Sequence, residues 1–165
     1  MAYRQSRRGG SPSSTKVLTT VTTALIAGAA LGGVLHATGS LRSVADIYGL
    51  EGVVNEWTLV FCHSLVAGGP FVALVTWLSR GRYVPRPLAE SYRSPFLGAC
   101  VGLAYGVVLW VTVVAYGGPF ALGLITGVAY PVPMHHWESF VGLSTFGTVF
   151  GAWYPLLRTF FAERH

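Results

Sequence analysis

Four histidines and one glutamate supply most of the chemistry this chain could perform. His36 closes the first long apolar run, His63 lies near the start of the second, and His135 and His136 precede the fourth. Imidazole is the commonest metal ligand near neutral pH, and ionisable groups placed inside a membrane are costly enough to suggest function. His36 follows Gly32 by one turn, and His63 shares a helical stripe with Glu56, Ala67 and Pro70. Both are therefore expected to face a bundle interior at similar depth, where they could hold a metal ion or bracket a haem. The competing expectation is two neutral rings that hydrogen-bond across helices and lock the packing. That second reading, with no cofactor, is preferred because no strong ligand motif accompanies them. His135 and Glu138 stand three apart after Pro133, sharing one face of a first helical turn as a weaker candidate metal pair. Adjacent His135 and His136 diverge by about 100° on a helix and cannot serve one site.

Motifs for familiar reactions are missing from the sequence. It has no glycine-rich phosphate loop, no Gly-x-Ser-x-Gly elbow and no zincin pair. An enzyme is therefore disfavoured. Cys62 falls near the outer end of its apolar run and Cys100 near the inner end of its own, beyond a disulfide's reach, and both are read as free, buried thiols.

The elements that must position these residues follow from composition. The chain has 165 residues, 52% hydrophobic and 10% charged, with mean hydropathy +0.54. Soluble domains carry roughly 25% charged residues, and apolar runs of about 18 or more mark membrane spans. Four such runs are present, over 17–38, 58–78, 96–116 and 140–161. They predict an all-α, polytopic four-helix transmembrane bundle with short outer interfacial helices. Residues 1–15, rich in Gly, Ser and Arg, are expected to be a mobile arm, and 16–165 a single four-span domain. The first run is too long for a signal peptide's apolar core and is read as a retained span.

Charge sets the expected orientation. Of eleven Arg and Lys residues, ten lie in the N-terminal arm, the central loop and the C-terminus; Arg42 is the exception. Four spans put those three segments on one side, which predicts both termini in the cytoplasm of a multi-pass cell-membrane protein. Topology and anionic headgroups account for the net charge of +5, so nucleic acid is not an expected partner. Trp57, Tyr130 and Trp137 mark the outer interface, and Trp77, Trp153 and Tyr154 the inner one. Trp110 lies inside the third span and reads as packing.

The connecting segments differ in character. The central loop SRGRYVPRPLAESYRSP (79–95), with three prolines, should be irregular. Leu41, Val44 and Tyr48 form one stripe of a short surface helix within 40–52. Gly117-Gly118-Pro119 should break the third helix, leaving 117–130 as an interfacial or re-entrant piece. Each span also carries small residues four apart: Gly28/Gly32, Ser64/Gly68, Gly98/Gly102/Gly106 and Gly147/Gly151. Such faces let backbones approach closely in lipid. They predict a compact bundle, or a homodimer or larger membrane complex formed through those faces.

The stretches LVFCHSLVAGGPF (59–71), GLAYGVVLWVTVV (102–114) and VGLSTFGTVFGAWYPLL (141–157) resemble a group of small membrane proteins from halophilic archaea. That resemblance covers the last three spans and implies four spans, with His63 matching the group's histidine in span two. Some members carry a histidine-kinase label, but the group's activity is not established and no catalytic residue transfers. The kinase label finds no ATP-binding segment here. The sequence thus points to an accessory or structural membrane component. A metal- or haem-binding redox or sensing protein is the alternative, and a small transporter or channel the second.

Overall fold

The computed structural model describes residues 12–80 and 93–163. The elements are α1 (Pro12–Ala37), α2 (Arg42–Asp46), α3 (Val53–Arg80), α4 (Pro95–Leu109), a π-helical stretch (Trp110–Gly117), α5 (Gly118–Thr126) and α6 (Trp137–Glu163). Four helical spans, 14–37, 53–79, 95–124 and 137–163, are long and apolar enough to cross a membrane. The all-α four-span bundle is the fold. Of the expected arm, residues 12–15 are already helical, and 1–11 lie outside the described residues. The proline-rich loop falls mainly on 81–92, also outside them.

Helices pack in the order α3, α1, α6, α4, so α1 and α6 are the central pair. Glycines decide how close they come. Gly28 is covered by Ser64, Gly32 by the Trp57 ring, and Gly68 by the Phe150 ring. At the α4–α6 crossing the contact is backbone on backbone. A Cβ on Gly102 would land on the Gly147 carbonyl, and one on Gly147 would land on the Gly102 carbonyl. Gly106 meets the Leu143 carbonyl and Gly151 the Gly98 carbonyl in the same way. The small-residue faces expected to be available for a homodimer are thus occupied within one chain.

Between α3 and α4 the space is filled by aromatic rings. Phe71 lies 5.2 Å from Tyr105 and 4.8 Å from Phe150, ring centre to ring centre. Phe146, Phe150 and Tyr154 continue the column along α6, all fully buried. Tyr154 therefore belongs to the core and not to the interface, because position 154 continues the Gly147/Gly151 face that α6 buries. The Tyr105 hydroxyl donates to the Ala67 carbonyl at 2.6 Å. That carbonyl lies in the turn before Pro70, whose missing amide takes the helical donor from the neighbouring Val66 carbonyl, four residues back.

The third span corrects the sequence reading. Gly117-Gly118-Pro119 does not break the helix: Gly117 and Gly118 keep right-handed helical angles, and the span runs on to Thr126. It widens into π-helix first, with the Gly118 amide bonding to the Val113 carbonyl. Pro119 has no amide to offer the Ala115 carbonyl, one turn back. The Met134 amide from the returning chain donates to it instead, at 2.9 Å. The helix ends only at Gly127, whose left-handed φ of 70° suits a glycine.

Charged residues mark the two ends of the bundle. Leu31 packs on Gly142, so antiparallel α1 and α6 bring Lys16 level with Arg158 and His36 level with the start of α6. Lys16 and His36 are twenty residues apart. At about 1.5 Å rise that is ~30 Å, the thickness of a bilayer's hydrocarbon core.

Candidate functional site at the histidine end

Ionisable side chains gather where α1 ends and where α3 and α6 begin. The loop after α1 turns at Gly39, then at Gly49 and Gly52, all with positive φ. Those turns fold α2 back over α3. Leu41 and Ala45 bury, anchoring the short helix, while Tyr48 stays exposed. The Tyr48 hydroxyl and His63 Nε2 share a hydrogen bond of 2.8 Å. Tyr48 thus ties the surface segment to α3.

Neither His36 nor His63 faces the interior; both are exposed. The buried stripe of α3 runs through Glu56, Val60, Ser64, Gly68 and Phe71, which leaves His63 one residue off it. Likewise Leu35, and not His36, continues the buried face of α1. The small-residue spacing located those faces to within about 100°, and that single step separates interior from exterior. The two histidines also differ in depth. Gly28 opposite Ser64 and Gly32 against Trp57 put His63 level with Ala29, seven residues below His36. That is about 10 Å along the axis, against metal–nitrogen bonds of ~2 Å. Each ring keeps a different aromatic neighbour, His36 beside Trp57 at 6.3 Å and His63 beside Tyr48 at 5.6 Å.

The second candidate pair is rearranged. His136 Nδ1, and not His135, approaches Glu138 Oε2, at 3.4 Å. Helix α6 begins only at Trp137, so His135 and Glu138 do not share a helical face. The His136 carbonyl is the anchor of this end: it accepts from the Phe140 amide, the Ser139 hydroxyl and the Trp110 indole N–H. Trp110 also meets Phe140 edge to face at 5.2 Å. It therefore fastens the start of α6 to the top of α4, a role consistent with packing and invisible in sequence spacing. Among the described residues no three His, Cys, Asp or Glu side chains gather as a metal-ligand set. Cys62 and Cys100 are free thiols on the bundle's exterior, not in its core as expected.

The geometry makes the Tyr48–His63 bond a local latch. Tyr48→Phe should raise amide exchange across 42–48 several-fold while leaving the thermal midpoint nearly unchanged. A net contribution of about 0.5–1.5 kcal/mol, on an exposed segment, is felt locally before it is felt globally. Unchanged exchange across 42–48 would show that burial of Leu41 and Ala45 alone holds α2. No protein-family model, curated protein or solved structure matches this chain.

Proposed function

We propose that the chain is a packed membrane platform, an accessory or structural component with no enzymatic role. The carrying observation is the filled axis. Phe71, Phe146, Phe150 and Tyr154 occupy the space where a pore or substrate path would run, and glycines bring the α4 and α6 backbones together. In lipid, that packing is itself a principal source of cohesion. The proposal includes the orientation read from charge: the end carrying Lys16, Arg93 and Arg158 faces the cytoplasm. Kinship with the four-span halophilic proteins is part of the same proposal.

Two measurements test it. Reconstituted vesicles should pass protons and divalent cations no faster than empty ones; stimulated flux would put a transporter in place of the platform. Reporter fusions should place both termini inside, and a terminus outside would overturn the orientation. The metal- or haem-binding alternative draws on His36 and His63, whose side chains lie on the bundle's exterior and are not packed into its core. Metal analysis and a visible spectrum on protein purified without a histidine tag decide it: stoichiometric metal or a Soret band replaces the platform reading.

A further inference from the structure

Two of the four spans do not close on each other. Helix α3 leans on α1 and α4 on α6, and the α3 and α4 backbones make no extended contact. What joins them is the Phe71–Tyr105 ring contact and the bond from the Tyr105 hydroxyl to the Ala67 carbonyl. Beyond Phe71, toward the end where α3 stops at Arg80, an apolar cleft of about 420 Å³ lies between the two helices. Leu74 and Leu78 of α3 form one wall. Cys100, Ala104 and Val108 of α4, at i, i+4 and i+8 of one helical stripe, form the other, with Tyr105 beside them. From the level of Cys100 to that of Val108 is about 12 Å along the helix axis.

One end of this cleft is basic. Leu78 is two residues from Arg80, the last residue of α3, and Arg93 precedes α4. Gly98 packs on Gly151, which brings Arg93 within about 3 Å of the level of Arg158. Lys16 shares that level. Four cations thus stand at this end, and among the described residues the one acid there is Glu163.

We propose that the cleft holds one chain of an anionic phospholipid, with the headgroup phosphate at the arginine end. The cleft lies between two helices long and apolar enough to span a membrane, so it opens to hydrocarbon. Its walls give a water too few polar partners to stay. Volume then chooses among apolar occupants. A helix segment about 10 Å across and 12 Å long fills roughly 900 Å³, twice the space available, so a span of another chain does not enter. A single hydrocarbon chain does. The headgroup follows from the cations at the mouth: basic pockets between membrane helices hold anionic headgroups, and arginine meets phosphate with two parallel N–H donors. A flat lipid-facing span offers neither feature, since it grips no individual chain and selects no headgroup. The assignment is independent of which side of the membrane the arginine end faces.

The test is native mass spectrometry of the full chain, released from detergent micelles after incubation with dioleoyl phosphatidylglycerol or dioleoyl phosphatidylcholine. One phosphatidylglycerol should stay bound per chain about ten-fold more often than phosphatidylcholine, the discrimination that one charge-assisted contact supplies. Ala104→Phe puts a ring into the cleft from an exposed position and should cut phosphatidylglycerol retention several-fold, with helical content unchanged by circular dichroism. Ala73→Phe, at an exposed site of α3 outside the cleft, should retain as much as the parent chain. Arg93→Gln should lower phosphatidylglycerol retention toward that of phosphatidylcholine. Should Ala104→Phe misfold, the comparison of lipids and Arg93→Gln decide without it. Equal retention of the two lipids, or phosphatidylglycerol retention indifferent to Ala104→Phe or to Arg93→Gln, overturns the proposal. So does retention of glycerol phosphate, a headgroup without chains, because the phosphate would then be held by the arginines alone and the cleft would have no part in it.

Discussion

Gly102→Ala should weaken the bundle severely, whereas Gly33→Ala should leave it unchanged or slightly firmer. Both glycines lie inside helices, so propensity favours alanine at each by roughly 0.5–1 kcal/mol. What differs is the space a methyl group would meet. Around Gly33 nothing lies within 4 Å of the added Cβ. At Gly102 it would fall on the Gly147 carbonyl, with the Gly151 Cα 3.1 Å away. A side chain can change rotamer to make room, but a backbone carbonyl cannot, so the helices must separate. Overpacking of a fitted contact costs about 1–3 kcal/mol and sometimes more. Here the separation also strips the matching contacts at Gly98 and Gly106, which favours the upper end. Thermal melts in one detergent, followed by circular dichroism, should show a large fall for Gly102→Ala and none for Gly33→Ala. Equal midpoints would mean that the α4–α6 approach contributes little.

The length and hydropathy of the apolar runs carried the fold; they did not carry the side-chain detail. Four apolar runs of bilayer length leave few alternatives to four helices, and repeated glycines correctly implied close crossings. The site was less legible. A helical face is known from spacing only to within about one residue, and His36 and His63 each stand one residue from the buried stripe. Their depth depended on the register between α1 and α3, which Trp57 and Ser64 set by packing on particular glycines. No pattern within either helix encodes that register. The continuation through Gly117-Gly118-Pro119 was hidden for a similar reason. Its missing hydrogen bond is supplied by the Met134 amide, fifteen residues downstream of Pro119, and a local reading of proline does not see so distant a donor.

Phe71→Ala should cost about 2.4 kcal/mol and still leave the membrane tight. Phe71 is 1% exposed, with Tyr105, Phe150 and Tyr154 around its ring. In a soluble core, truncation forfeits both transfer from water and packing. Lipid tails are as apolar as the ring, so within the bilayer only the packing loss remains. A void of about 100 Å³ at ~24 cal/mol per Å³ gives that figure. Phe96, exposed at 75%, touches little of the bundle, and Phe96→Ala should stay within about 0.5 kcal/mol. Denaturant titration in mixed micelles can compare the two. The void's walls are mostly ring carbon, from Tyr105, Phe150 and Tyr154, and the Tyr105 hydroxyl already donates to Ala67. A water there would lack the two or more polar partners it needs, so the void stays dry. Vesicles carrying Phe71→Ala should therefore leak protons no faster than those carrying the parent chain. Leakage without loss of stability would give the aromatic column the role of a closed gate, and the platform reading would fail.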